Sequence, residues 1–329
     1  MAVTDSSLVT NNVTARHGDQ IFSSLVRLCS IVVIALLAGV VLLLVLDSLE
    51  SIGRFGFSFL TGSVWNPVET EVNPVQFGAA PYIFGTIVTS IIALLLATPL
   101  ALGSALFVSE YAPRWLGRSV AFVVELLVAI PSVAYGLWGL FVLVPFMRTT
   151  VDPFLQKHIG PIPLIGQLFS GPSVGQHLLT GGIILAIMIL PTILSISREI
   201  IAQVPRLQKE GMMALGATKW ETLRYAILPY AKGGVIGACM LGLARAIGET
   251  MAVTMVIGNS STKISASLFT PGYTISSAIA NQFTEADTSL YFSAVVELGL
   301  VLLLVASAFN IAARVLVKRI ARFPGGAKT

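Results

Sequence analysis

Two ionisable residues, Arg245 and Glu249, lie within the apolar run 233–257. The run is predicted to be a single helix, in which the spacing of four places both side chains on one face, where they can form an ion pair. A charged side chain at the centre of a bilayer costs roughly 2.5–3.5 kcal/mol on insertion scales. Packing alone does not explain two of them, so the pattern favours recognition of a polar or anionic solute that crosses a membrane.

Two further carboxylates, Glu125 and Glu297, fall within apolar runs. Counted at about 1.5 Å per helical residue, Arg245, Glu249 and Glu297 are predicted to form one polar cluster in the middle and outer bundle. Arg245 offers the planar donor fork that suits phosphate. A carboxylate there could be neutral because of burial, or could accept the proton of monohydrogen phosphate. The alternative is a structural Arg245–Glu249 lock, with Glu125 and Glu297 outside the pathway.

The elements that must position these residues are apolar helices. The chain of 329 residues is 55% hydrophobic and only 11% charged, with a mean hydropathy of +0.86. Soluble domains carry about 25% charged residues, so the composition predicts an all-α integral membrane protein. Six runs are long enough to span a bilayer. They are residues 28–46, 82–107, 119–144, 176–197, 233–257 and 290–315.

The basic residues predict the orientation of these spans. With the N-terminus inside, fifteen of the twenty Lys and Arg residues fall in inner segments, four fall in outer segments and Arg245 lies in the membrane. Positively charged loops stay on the cytoplasmic side. Both termini are therefore predicted to be cytoplasmic.

The inner loop between the fourth and fifth runs predicts a protruding pair of short helices. Pro205 can begin the first helix and Gly216 can end it. A second short helix is predicted from about Lys219 to Ile227, ending before Pro229. The alternative is an ordinary amphipathic inner loop.

Sequence motifs argue against several classes of protein. The chain has no G-x-x-x-x-G-K-[ST] loop, so any ATP must be bound by a separate chain. Neither H-E-x-x-H nor G-x-S-x-G occurs, which argues against an intramembrane hydrolase. No catalytic residue, no cofactor of its own and no metal site are predicted.

The inner loop resembles the EAA loop of binding-protein-dependent ABC importer permeases. Glu210, Gly216, Leu228 and Pro229 align in register with that pattern, whereas Gly211, Met212 and Ala226 depart from it. The stretch GLARAIGETMAVT (242–254) is similar to the signature of phosphate ABC transporter permeases. Four other stretches resemble the PstC type of these permeases. They are FGAAPYIFGTIVTS (77–90), SEYAP (109–113), ELLVAIPSVAYGLWG (125–139) and ELGL (297–300).

The resemblance implies a type I importer (MetI-like) fold and a set of partners. It implies a heterodimer with a PstA-like permease subunit, a PstB-like ATPase dimer that holds ATP and Mg, and a PstS-like phosphate-binding protein. The EAA-type loop would dock on the ATPase. The implied ATPase contacts are Glu210, Ala214, Leu215, Gly216, Ala217 and Pro229.

These observations predict a permease subunit of an ATP-driven phosphate importer in the bacterial cytoplasmic membrane. The predicted parts are a cytoplasmic tail 1–27, a first span 28–46, an extracytoplasmic segment 47–80, a permease domain 81–318 that includes the coupling loop 198–232, and a tail 319–329. The alternatives are a permease for another oxyanion and a secondary anion carrier without an ATPase.

Overall fold

The computed structural model describes residues 7–70, 73–260 and 264–321, and helices make up most of them. The helices of the first half are α1 (Ser7–Asp47), α2 (Leu49–Phe55), α3 (Ser58–Thr61), α4 (Ala80–Leu106), α5 (Arg114–Ala129), α6 (Ser132–Trp138), α7 (Val144–Phe146) and α8 (Asp152–His158). Those of the second half are α9 (Leu178–Ala202), α10 (Arg206–Ala214), α11 (Lys219–Thr222), α12 (Leu228–Gly248), α13 (Met251–Val256), α14 (Ile275–Gln282) and α15 (Ser289–Ala321). A small antiparallel hairpin, β1 (Trp65–Asn66) and β2 (Gln76–Phe77), precedes α4.

Within the described residues, six helical segments are long and apolar enough to cross a membrane. They are Asp19–Asp47, Ala80–Tyr111, Ser132–His158, Leu178–Ala202, Lys219–Gly248 and Ser289–Val315. Each overlaps one of the six apolar runs, so the predicted number of spans is confirmed. The third and the fifth differ from the prediction in ways that change the site.

The third predicted span, 119–144, is wrong in its position. Ile130 has an extended backbone (φ −65°, ψ 129°) and separates α5 from α6. The ring of Pro131 causes this break, because proline disfavours the helical region for the residue before it. The apolar run therefore divides, and the span begins at Ser132 and extends to His158. Glu125 consequently lies on α5, outside the spanning segments.

The centre of the bundle is a close contact between α4 and α9. Every fourth residue of α4 from Ala93 to Ala105 is a fully buried alanine, which presents a smooth face to its neighbour. On α9, a Cβ added to Gly182 would lie 2.5 Å from Cγ2 of Ile92. Small residues allow backbones to approach in this way, and membrane helices commonly associate through them. This pair is the rigid support for the residues described below.

A buried Asp152–His177 pair joins α8 to the start of α9. His177 Nε2 lies 3.1 Å from an Asp152 carboxylate oxygen, and Nδ1 accepts the backbone N–H of Thr180 at 3.3 Å. Burial lowers the pKa of His177, although the hydrogen bond and charge of Asp152 oppose that shift. The pair thus fixes the N-terminus of α9 with a histidine side chain as its cap.

Candidate translocation site and coupling loop

Arg245 lies in the last turn of α12, and its guanidinium points to the middle of α9. Nη1 donates a hydrogen bond to Thr192 Oγ1 at 3.2 Å. Thr192 is the fifteenth of the 25 residues of α9, so the guanidinium is close to the midplane of that span. Arg245 is only half-buried. The cation therefore keeps part of its surface exposed at this depth.

Tyr135 belongs to the same neighbourhood, since it lies close enough to Arg245 to interact with its charge. Its hydroxyl donates to the Leu127 carbonyl at 2.8 Å and so bridges the break at Pro131. Tyr135 also lines a cavity of about 340 Å³, whose other lining residues are Ile130, Ala134, Trp138 and Ile187. An open space therefore lies beside Tyr135, which is within range of the Arg245 charge.

The predicted Arg245–Glu249 ion pair is absent from the described residues, because the helix that was to carry both does not continue. Helix α12 ends at Gly248, and Glu249 has an extended backbone (φ −71°, ψ 128°). A Glu249 carboxylate oxygen instead accepts the backbone N–H of Ala252 at 3.3 Å, at the start of α13. Glycine has a low helix propensity, and a side chain that binds free N–H groups of the next helix favours such a break.

Glu297 and Glu125 also have partners other than Arg245. Glu297 is 7% exposed and accepts the Ser51 hydroxyl at 2.5 Å, which links α15 to α2. The Glu125 side chain is 66% exposed and lies 4.0 Å from the Arg198 guanidinium. Among the described residues no ion pair joins Arg245 to any carboxylate. The structure thus separates the four predicted pathway residues into four different environments.

Sequence reasoning missed Thr192 and Tyr135. Both are polar residues inside apolar runs, and each lies close to a proline, Pro191 or Pro131. A proline within a span frees a backbone carbonyl, which polar neighbours or water must satisfy. Polar residues close to the prolines of the apolar runs are the signal that could have found them.

The loop between α9 and α12 contains the predicted short helix and the predicted turn. Helix α10 follows Pro205 and ends at Ala214. Gly216 has φ +84°, its N–H binds the Met213 carbonyl at 3.0 Å, and the N–H of Ala217 binds the Met212 carbonyl at 3.1 Å. These two bonds form a Schellman motif, which glycine permits at no steric cost.

This loop presents apolar side chains to its surroundings. Leu207 is 82% exposed and Leu215 is 87% exposed. Glu210, Ala214 and Gly216 are exposed as well, and Ala217 is half-buried. Exposed leucines on a short polar helix are typical of a surface that another protein covers. Within the predicted loop 198–232, we keep the name coupling loop for residues 206–217 from here on.

The sequence predicted that the second short helix ends before Pro229, and this prediction is wrong. Helix α11 continues through the wide turn Leu223–Ile227 into α12. Pro229 lacks an N–H, and a single π-type turn before it absorbs the missing bond without stopping the helix. Pro229 is therefore an exposed residue in the first turn of α12 and is separated from the coupling loop by α11.

Comparisons with known proteins identify the family of this fold. The family model described as binding-protein-dependent transport system inner membrane component matches residues 97–322. The chain is 48% identical to the phosphate transport system permease protein PstC of Mesorhizobium japonicum, over 92% of this chain and 90% of that protein. It is 44% identical to PstC of Pasteurella multocida, over 96% and 97% of the two chains. It is 38% identical to PstC 1 of Mycobacterium tuberculosis, over 84% and 86%.

A solved structure shows the same fold. A chain of the MetNI methionine ABC transporter in inward-facing conformations superposes with a TM-score of 0.54 at 15% identity, over 73% of this chain and 95% of that chain. The predicted type I, MetI-like fold with six spans is thereby confirmed. The chain is a multi-pass transporter subunit of the bacterial inner membrane and not an enzyme, and the ATPase of such transporters is a separate subunit. The chain belongs to the binding-protein-dependent transport system inner membrane component family, and within it to the permeases named PstC.

Proposed function

We propose that the chain is the permease subunit of an ATP-driven phosphate importer and forms half of the translocation pathway. Relatives at 43–48% identity over more than nine-tenths of the chain are named phosphate transport system permeases. The single structural observation that carries the proposal is Arg245. Its guanidinium is half-buried at mid-span and has no carboxylate partner among the described residues.

The donors of Arg245 suit an oxyanion. A guanidinium offers five N–H donors, and one hydrogen bond to Thr192 leaves most of them free for a solute. A planar fork matches two phosphate oxygens at once. The contact must be transient, since a tight site would retain the solute.

The proposed partners follow from the relatives and the coupling loop. They are a PstA-like permease subunit, a PstB-like ATPase dimer holding ATP and Mg, and a PstS-like phosphate-binding protein. Leu207 and Leu215 support docking of the ATPase, because both are exposed apolar residues on the coupling loop. ATP binding in that partner would move the loop and open the pathway around Arg245 to the outer side.

The proposed topology keeps the predicted segments, with both termini and the whole predicted loop 198–232 in the cytoplasm. The excess of basic residues on that side supports it. The N-terminal tail 1–27 and the first span 28–46 are followed by the segment 47–80, which would be extracytoplasmic. The permease domain 81–318 comes next, and residues 319–329 would form a cytoplasmic tail.

Pathway roles for Glu249, Glu297 and Glu125 remain predictions. Glu249 has the strongest support, since it follows Arg245 closely in the chain and uses one carboxylate oxygen for Ala252. A carboxylate there could accept the proton of monohydrogen phosphate. Glu297 faces Ser51 instead, and that contact favours a role in holding α2 against α15.

Glu297→Gln is expected to retain phosphate uptake within about twofold, because the amide oxygen can still accept the Ser51 hydroxyl. Glu297→Ala leaves that hydroxyl buried without a partner and should destabilise the chain by about 1–3 kcal/mol. Uptake and thermal unfolding of both variants in vesicles check this. Uptake abolished by Glu297→Gln in a normally stable protein would place Glu297 in the pathway.

Uptake by the complete reconstituted complex tests the proposed function. Vesicles containing the two permease subunits and the ATPase, with ATP inside them on the ATPase side, are given the loaded binding protein outside. Radiolabelled phosphate should accumulate only with hydrolysable ATP, and unlabelled sulfate or molybdate should not compete. Preferred uptake of sulfate or molybdate would indicate a permease for another oxyanion. Uptake driven by an ion gradient without ATP would indicate a secondary carrier.

A further inference from the structure

A group of basic side chains lies at the coupling-loop end of the spans, away from Arg245. A cavity of about 650 Å³ opens between the turn Phe107–Tyr111 after α4, helix α5, the end of α9 and the start of α10. Arg198, which lines this cavity, follows Thr192 by six residues on α9, which is about 9 Å along the helix axis. The cavity is thus distinct from the space beside Tyr135.

Four basic side chains line the cavity: Arg118, Arg198, Arg206 and Lys209. Three carboxylates, Glu110, Glu125 and Glu199, also line it. Lys209 binds Glu110 at 2.5 Å, so this pair is internally neutral. Among the described residues, Arg118 and Arg206 form no ion pair, and Arg198 is only 4.0 Å from the largely exposed Glu125. Three guanidinium groups therefore keep most of their donors free.

Two further features favour an anion in this cavity. Arg206 and Lys209 belong to the N-terminal part of α10, which has no acidic residue in its first turn and no side-chain cap. The positive end of the helix dipole is therefore not neutralised by its own sequence. In addition, the Ser109 hydroxyl oxygen is buried, has no hydrogen-bond partner within the part of the chain that the structure describes, and belongs to a residue that lines the cavity. A buried hydroxyl without a partner costs free energy, which a ligand oxygen would recover.

We propose that this cavity binds a phosphate group, supplied by an anionic phospholipid headgroup or by free inorganic phosphate. Arg118, Arg198 and Arg206 would hold its oxygens with charge-assisted hydrogen bonds, and Ser109 would donate a further one. Phe122, which is exposed on the rim, provides apolar surface beside the cavity, as a lipid chain requires. Because these residues come from the turn after α4 and from α5, α9 and α10, a bound phosphate ties the coupling loop to the ends of the spans.

The test uses the assembled permease–ATPase complex without the binding protein, in an Arg245→Ala background that removes the proposed pathway contact. In the first arm, the complex in phosphatidylcholine nanodiscs is dialysed against radiolabelled inorganic phosphate. In the second arm, the complex is purified from membranes rich in phosphatidylglycerol, and the retained phosphatidylglycerol is counted by mass spectrometry. Binding in the first arm identifies inorganic phosphate, and retention in the second identifies the lipid headgroup.

The variants decide whether the cavity is responsible. The double variant Arg198→Gln/Arg206→Gln loses charge-assisted hydrogen bonds. We expect it to lower phosphate binding or phosphatidylglycerol retention at least about tenfold in one arm. Arg118→Gln tests the same site from α5, in case the double variant fails to assemble. Arg224→Gln removes an exposed arginine that does not line the cavity and should change binding less than about twofold. Binding that is absent in both arms, or reduced equally by Arg224→Gln, overturns the proposal. The outcome does not depend on which solute the complex transports.

Discussion

Arg245→Ala is expected to reduce ATP-dependent phosphate uptake about a hundredfold, because a charge-assisted pair of hydrogen bonds is worth up to about 3 kcal/mol. The substitution removes the mid-span cation. It also removes the hydrogen bond to Thr192 Oγ1, which is a small loss by comparison. Arg245→Lys keeps the charge but not the planar fork, so we expect its uptake rate to lie between those of the unsubstituted protein and Arg245→Ala. Initial uptake rates in vesicles containing the complete complex measure this effect.

A matched control separates lost transport from lost assembly. Arg224→Ala removes an exposed arginine near Tyr225, far along the same helical segment from Arg245, and should leave uptake unchanged. The ATPase should co-purify equally with both variants. Full uptake by an assembled Arg245→Ala complex would contradict the proposed pathway. It would leave the Thr192 contact as a structural hydrogen bond only.

The sequence predicted the number of spans and the fold class because both depend on long apolar runs, which are local properties. It also predicted the turn at Gly216, since a left-handed residue after a short helix needs glycine. It did not predict where runs divide. The apolar runs extend past Ile130 and Glu249, whereas the backbone changes direction at both residues.

The sequence singled out Arg245 but not the residue that contacts it. The cost of burying a charge identified Arg245, but the choice of partner depends on tertiary geometry. The break after Gly248 removes the helical spacing that would have paired Glu249 with Arg245. Arg245 instead donates its hydrogen bond to Thr192, which lies 53 residues earlier in the chain. Glu297 accepts a hydrogen bond from Ser51, which lies 246 residues away in the chain. Such pairings depend on how the helices pack together, and the spacing of residues along one helix does not determine that packing. The break has a consequence for function, because an intact pair would leave fewer donors for an anion.

Gly216→Asp should abolish co-purification of the ATPase while the permease itself still folds. A residue with a Cβ in the left-handed region costs roughly 1–2 kcal/mol, and Gly216 has φ +84°. The strain opposes the Schellman motif that joins α10 to Ala217 and fixes the direction of Leu215. The substitution also places a negative charge beside that exposed leucine. The measurement is the ATPase retained by tagged permease, together with ATP-driven uptake.

Gly211→Ala provides the matched control, because an added Cβ would meet nothing within 4 Å at either glycine. The two positions therefore differ in backbone conformation, since Gly211 lies within α10 and Gly216 does not. Alanine favours a helix over glycine by about 1 kcal/mol, so Gly211→Ala should retain the ATPase. Gly216→Ala isolates the backbone strain from the charge and should weaken retention about tenfold. If Gly216→Asp retains both the ATPase and coupled uptake, the coupling loop is not the docking surface. If Gly216→Ala retains them and Gly216→Asp does not, the docking surface rejects the charge and tolerates the strained turn.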